Sequence, residues 1–233
     1  LADTLAIVIP ALNEQGRIAE LVESLRRQRG SHPWLETPLV VDGGSRDATV
    51  SEAKRAGART LVADPGRARQ MNAGAAATRS EWLWFLHADT RLPAGSLSAL
   101  QRCLAAGRDW GRFDVRIQGD HWMLPVIATS MNARSRLTGV ATGDQGIFVR
   151  RRVFDAVGGY PEQPLMEDIA LCRRLKGAVG PPACLRESLH TSGRRWESHG
   201  VWRTMALMWQ LRWAYWRGAD PEHLASRYHS GGS

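Results

Sequence analysis

Asp89 lies three residues beyond a fully apolar run, Trp82-Leu83-Trp84-Phe85-Leu86, so a strand over that run would deliver His87-Ala88-Asp89 at its C-terminal end. A carboxylate so placed suits a hard divalent cation. Mg²⁺ or Mn²⁺ held by one or two carboxylates and by substrate phosphates is the usual arrangement for nucleoside diphosphate chemistry. The plainer use of Asp89 is to cap the turn into Arg91-Leu92-Pro93. A second acidic pair, Glu167-Asp168, opens a stretch of helical spacing just after Pro164. In a first helical turn the macrodipole stabilises negative charge and keeps an Asp ionised, as a general base requires. Simple N-terminal capping is the alternative there.

These carboxylates need a scaffold, and the chain supplies a regular one. Leu5 to Ile9 is a short β-rich run stopped by Pro10 and reads as a buried strand. From Glu14 to about Arg29, Ile18, Leu21, Val22 and Leu25 recur at helical spacing, and Gly30 sits where a helix ends. A second strand, Pro38 to Asp42, runs into Gly43-Gly44-Ser45; Asp47 caps a helix ending near Gly57, and Arg59 to Ala63 supplies a third strand. Ala68 to Thr78 is helical, and Trp82 to Leu86 is the fourth strand. Apolar strands alternating with amphipathic helices predict an α/β, mostly parallel sheet covered on both faces, with ligands at the strand C-terminal ends. The second half is less regular. Phe113 to Gln118 and Gly146 to Val149 read as strands, Trp122 to Ala133 is apolar, and Arg151 to Val157, Glu167 to Lys176 and Val201 to Trp216 read as helices.

Taken together, Pro10-Ala11-Leu12-Asn13-Glu14, Val41-Asp42-Gly43-Gly44-Ser45-Arg46-Asp47, Phe85-Leu86-His87-Ala88-Asp89-Thr90 and Met166-Glu167-Asp168 resemble glycosyltransferase family 2 in order and spacing, over roughly residues 5 to 196. The run Gly66 to Gly74, the segment Gly143 to Arg150 and Thr191 to Trp196 are similar to a bacterial subgroup associated with radical-SAM or arsenosugar biosynthesis. The resemblance implies a GT-A fold, with a Rossmann-like central sheet, a nucleotide-sugar donor and direct inverting transfer to an acceptor hydroxyl of unknown identity. It implies that Pro10, Ala11 and Glu14 line the nucleoside pocket, that Asp42 hydrogen-bonds the base, and that Arg69 and Asn72 lie near the nucleotide. His87, Ala88 and Asp89 would complete the donor site, with Asp89 as ligand of Mn²⁺ or Mg²⁺ and Asp168 as catalytic base. Asp144, Gln145, Glu167, Arg195 and Trp196 would face the diphosphate or the acceptor. UDP is the donor nucleotide the family favours.

Three residues depart from the family pattern. Gly43 replaces a second Asp after the second strand, His87 replaces the first carboxylate of a paired motif, and Ser192 stands where processive enzymes carry Gln or Arg. His87 or His190 could join the metal, which would favour Mn²⁺, although a lone His is more commonly a satisfied polar residue. Without the third element and without a membrane-spanning run, a polysaccharide synthase is not expected.

Composition bounds the remaining choices. The 233 residues are 43% hydrophobic, enough for a substantial core, and 31 basic against 23 acidic residues give a net charge of +8. That balance fits an anionic partner but does not choose among nucleic acid, a phosphate-bearing small molecule and an acidic membrane. Nucleic-acid binding fits poorly, because the arginines are dispersed and no zinc-finger, RNP or helix-turn-helix pattern occurs. A nucleotidyltransferase shares the α/β outline but would need a Gly-rich pyrophosphate loop near the first strand, which is missing. Cys103, Cys172 and Cys184 form no CxxC pattern, so a reducing compartment and a cytoplasmic or loosely membrane-associated protein are expected.

Ten tryptophans are present, and Trp202, Met205, Trp209, Trp213 and Trp216 would share one stripe of the last predicted helix, with Arg203, Arg212 and Arg217 nearby. The stripe could meet a membrane interface, line an acceptor channel, or pack on the catalytic domain or a homodimer partner. Arg150-Arg151-Arg152 could touch phosphate, but a solvated face is the commoner use of such a run. The expected organisation is a GT-A domain over 1–196, with a donor half to about 92 and an acceptor half from 93. An amphipathic helical extension over 197–229 and a flexible tail over 230–233 follow.

Overall fold

The computed structural model describes residues 4–230, apart from the side chains of Arg195, His229 and Ser230. The chain order is β1 (Leu5–Ala11), α1 (Ile18–Arg29), β2 (Leu39–Asp42), α2 (Thr49–Ala56), β3 (Arg59–Val62), α3 (Arg67–Ala76), β4 (Trp82–Phe85), α4 (Ser96–Ala105) and β5 (Trp110–Gln118). There follow α5 (Met123–Thr138), a 3₁₀ turn (Gly143–Gln145), β6 (Phe148–Arg150), α6 (Arg151–Ala156), α7 (Glu167–Val179), β7 (Ala183–Ser192), α8 (Arg194–Ser198), α9 (Val201–Trp216) and α10 (Pro221–Ser230). Ser230 thus closes α10, and residues 231–233 of the expected tail lie outside the described residues.

One seven-stranded sheet has the order β3-β2-β1-β4-β6-β5-β7. β1, β2, β3 and β4 are parallel, β6 runs antiparallel to both β4 and β5, and β7 returns parallel to β5. The chain leaves β1 toward β2 and β3, then crosses back to lay β4 on the other side of β1. The loops after β1 and β4 therefore diverge, and a crevice opens where such connections separate.

Strand alternation explains why β1 and β4 are apolar at every position. Leu5, Ile7, Ile9, Trp82 and Trp84 face α1, α2 and α4, while Ala6, Val8, Leu83 and Phe85 face α3, α6 and α7. Gly74 permits the closest of these contacts: a Cβ there would lie 2.3 Å from Val8 Cγ1. The sequence reading did not include α4, β7 and α8, and it saw α5 only as an apolar stretch; α10 lies within the helical extension expected over 197–229. In β7 most residues are only partly buried, so its burial does not alternate as a half-buried strand's should.

Arg150, Arg151 and Arg152 are engaged within the protein. Arg150 pairs with Glu81 at 3.1 Å and lies over the Trp82 ring, Arg151 donates to the Ser80 and Ala75 carbonyls and the Thr78 hydroxyl, and Arg152 pairs with Asp109 at 2.9 Å. The run fastens α6 to the segment before β4.

Candidate active site

At the β1 and β2 ends, two loops are sewn together. Asn13, left-handed at φ 54°, receives a hydrogen bond from Arg46 N on its side-chain oxygen and donates its own amide to the Ser45 hydroxyl at 2.9 Å. Glu14 N donates to Thr49 Oγ1, and Gln15 N to Asp47. The Thr49 hydroxyl holds the Asp47 carboxyl below its ordinary value. Asp42, at the tip of β2, is buried; its Oδ2 accepts the amides of Gly44 and Ser45 at 3.0 Å, while its Oδ1 is buried with no partner. An acceptor atom left in that state is costly unless a ligand supplies a donor. Beside it, Gln70 donates to the carbonyls of Ala11 and Val41, and its amide fills the space a Cβ at Gly43 would enter. That accounts locally for glycine at 43. Pro10 and Ala11 pair with Val41 and Asp42 in the sheet, and Glu14 is salt-bridged to Arg17 at 2.7 Å.

At the β4 end, Asp89 meets β7. Its Oδ2 accepts from Thr191 Oγ1 and from Ser192 N, each at 3.4 Å. The same Thr191 hydroxyl lies 3.5 Å from Asp144 Oδ1, which His87 Nδ1 contacts at 3.0 Å. Burial raises the Asp144 carboxyl, but the His87 contact and the charges of His87 and Arg67 outweigh it and leave the group below its ordinary value. Two hard oxygen donors thus flank one hydroxyl, 55 positions apart in sequence. Among the described residues no group of three or more His, Cys, Asp and Glu side chains could hold a metal ion. A cation here would take at most two protein carboxylates, which fits a divalent ion that keeps waters and substrate phosphates as further ligands. His87 has its Nδ1 on Asp144 and its Nε2 against the Gly143 backbone, where a Cβ would stand 2.3 Å away. His190 contacts the Gln118 amide at 3.2 Å, and burial followed by the charges of Arg116 and Arg91 lowers its imidazole. Ala88 is buried in the core under α1 and α4.

The third part is the start of α7. Met166 is left-handed at φ 63°, a costly state for a side chain with a Cβ, and its burial against Ile169, Leu211 and Leu224 offsets the strain. Asp168 Oδ2 accepts from Gly143 N at 2.9 Å, and its Oδ1 from Ile169 N at 2.7 Å. Burial raises both acids, and the Asp168 charge further opposes ionisation of Glu167, which is pushed up to about 7. The two backbone donors favour charge on Asp168, so Glu167 is the better proton carrier of the pair.

Arg67, first residue of α3, is the cation that balances this cluster. Arg67 lies at the surface; desolvation of its guanidinium opposes its charge, but Glu167, Tyr228, Asp144 and Asp168 raise it above the ordinary guanidinium value. The sequence reading assigned Arg69 and Asn72 to the nucleotide and passed over Arg67; its place at a helix start beside Gly66 was the available signal. Arg134, on α5, has a buried Nη2 without a partner; burial lowers it and Asp168 supports its charge.

Other expected residues are engaged elsewhere. Asn72 exchanges two hydrogen bonds with the Tyr160 backbone at 2.9 Å, and Arg69 lies 3.6 Å from Glu162. Gln145 is buried, donating to Asn132 and accepting from Thr142 N. Trp196 packs on the cluster between β5 and α5, and the Arg195 side chain lies outside the described residues. A cleft lined by Gly16, Arg17, Asp89, Arg91, Gln118 and Ser192 opens beside this arrangement.

Known proteins share this framework. Uncharacterized glycosyltransferases of Mycobacterium bovis and Mycobacterium tuberculosis are each 33% identical over 122 residues, covering 52% of this chain and 53% of theirs. The chain spans about half the length of these curated relatives. In three dimensions it resembles Staphylococcus aureus TarS 1–349, with a TM-score of 0.64 at 18% identity over 88% of this chain and 64% of that one. It also resembles M. tuberculosis glucosyl-3-phosphoglycerate synthase, solved with Mg²⁺ and uridine diphosphate, with a TM-score of 0.62 at 20% identity over 82% of this chain and 70% of that one. The fold is therefore the GT-A architecture. The family model for glycosyl transferase family 2 matches residues 6–158, through β1, β2, β4 and the Asp144 turn, and the chain belongs to that family.

Proposed function

We propose that the chain is a metal-dependent inverting glycosyltransferase that moves a sugar from a nucleoside diphosphate sugar, UDP favoured, to an acceptor hydroxyl. The observation that carries this reading is the placement of Asp89, beyond the end of β4, and Asp144 on either side of the Thr191 hydroxyl. The unpartnered Oδ1 of Asp42 would accept the N–H of a base seated over β1 and β2. Asp89 and Asp144 would hold Mn²⁺ or Mg²⁺, which when bound neutralises charge on the diphosphate as the bond to the sugar breaks. That a neighbouring fold was solved with Mn²⁺, UDP-glucose and phosphoglyceric acid supports the same donor class.

The reaction then asks three things of the chain. Asp168, held by two backbone N–H groups, takes the proton of the acceptor hydroxyl as that oxygen attacks the anomeric carbon opposite the leaving diphosphate. Arg67 keeps the nearby acids from repelling the diphosphate. Glu167, carrying a proton near neutrality, leaves Asp168 as the ionised member.

Thermal shift with UDP, GDP and their sugars, with and without Mn²⁺, tests the reading. A ligand at 100 times its Kd adds about 2.7 kcal/mol, roughly 5 to 11 °C for a chain of this size. The shift should require both nucleotide and metal. A shift that ignores metal and survives Asp89→Ala would overturn it, as would absence of sugar release from every donor.

A further inference from the structure

α9 presents four tryptophans to solvent on one side. Trp202, Trp209, Trp213 and Trp216 are 58%, 72%, 60% and 66% exposed, and the Trp213 and Trp216 rings are 5.2 Å apart. With Met205 they follow steps of three and four residues and form one stripe. The opposite side is the one that packs: Leu207, Met208, Leu211 and Tyr215 meet Met166, Ile169 and Leu224. The expectation that the stripe packs on the catalytic domain is therefore not what the fold does with it. Trp122 and Val126, 69% and 47% exposed, lie at the start of α5, which packs against Val201 at the start of α9.

We infer that this stripe is a docking surface for an anionic lipid bilayer. The sixteen residues of α9 include no acidic side chain, while Arg212 lies within the helix and Arg217 follows its end. A second copy laid across the stripe would bring like charges together with no carboxylate of α9 to meet them. Four indole N–H groups also need acceptors, and a headgroup layer gives them phosphate and ester oxygens while it takes up the rings. Among the described residues no helix is long and apolar enough to cross a membrane. α9 would thus lie in the interfacial plane, its packed side fixed to the α7 start that carries Glu167 and Asp168.

Vesicle flotation of the whole chain tests this without any nucleotide sugar, so its failure and failure of the proposed reaction are separable. Vesicles rich in phosphatidylglycerol should carry the chain at low salt; pure phosphatidylcholine or high salt should release much of it. Trp209→Ser with Trp213→Ser should lower partitioning about tenfold or more with an unchanged thermal midpoint, since both side chains are exposed. Arg212→Glu with Arg217→Glu should abolish the preference for anionic lipid. No flotation with phosphatidylglycerol at low salt, equal flotation of the tryptophan variant, or a dimer in sedimentation that the same variant dissociates would each overturn the inference.

Discussion

The Gly143 amide donates to the Asp168 carboxylate at 2.9 Å, and the next residue, Asp144, faces His87 and Thr191. One 3₁₀ turn therefore sets the spacing between the Asp168 and Asp144 carboxylates. Gly143 has no room for a side chain, because a Cβ would strike His87 Nε2.

Asp168→Asn retains the shape, keeps one oxygen to accept one of the two backbone N–H groups, and cannot take a proton. Turnover should fall by a factor on the order of 10² to 10⁴, while the nucleotide-dependent thermal shift persists. Near-normal turnover in steady-state assays would remove Asp168 from the base role.

Asp89→Ala and Asp144→Asn should each weaken the metal-dependent part of the nucleotide shift. Asp144→Asn also removes the carboxylate that His87 contacts at 3.0 Å. A metal-dependent shift of parental size in either variant would remove that carboxylate from the proposed cation site.

Glu167 carries a stability slope of defined sign. Its folded value, about 7, exceeds the ordinary 4.5, so the native state binds more protons between those limits. Its contribution is complete below about pH 4.5 and is lost as pH rises through 7. At about 1.4 kcal/mol per unit, the loss is about 3 kcal/mol at most, as Asp168 shares the proton. Glu167→Gln should therefore melt above the parent chain at pH 8, by roughly 5 °C or more, with the gap closing toward pH 5.

Arg67→Met removes the cation that lowers both Glu167 and Asp168. The acidic limb of kcat/KM should move to higher pH. A loss of activity at constant pH profile would indicate that Arg67 acts only on folding or on donor binding.

Gly74→Ala places a methyl group 2.3 Å from Val8 Cγ1 and 2.9 Å from Val41 Cγ2, both fixed in the central sheet. Overpacking of this kind costs about 1 to 3 kcal/mol. Thermal melts should show a drop of several degrees, although alanine is ordinarily the better helix former.

The amino-acid sequence by itself determined the apolar strands, their alternation with helices, and the strand-end positions of Asp42 and Asp89, because periodicity and a stop signal such as Gly57 act within a few residues; Pro10, read as the end of the first strand, lies within β1, which runs on to Ala11. It also placed Glu167 and Asp168 in a first helical turn. Tertiary structure alone decided which of these groups meet. Asp144 reaches His87 across 57 positions and Asp89 reaches Thr191 across 102, through a sheet in which β6 turns antiparallel and β7 returns beside β5. It also turned Asn72 and Gln145 away to bond the chain itself, and set Arg67 among the acids. Such pairings depend on the register of distant strands, and no local pattern encodes a register. The tryptophan stripe divides the same way: its spacing was legible in the sequence, but only the packing of Leu211 against Met166 fixed which side of α9 faces outward.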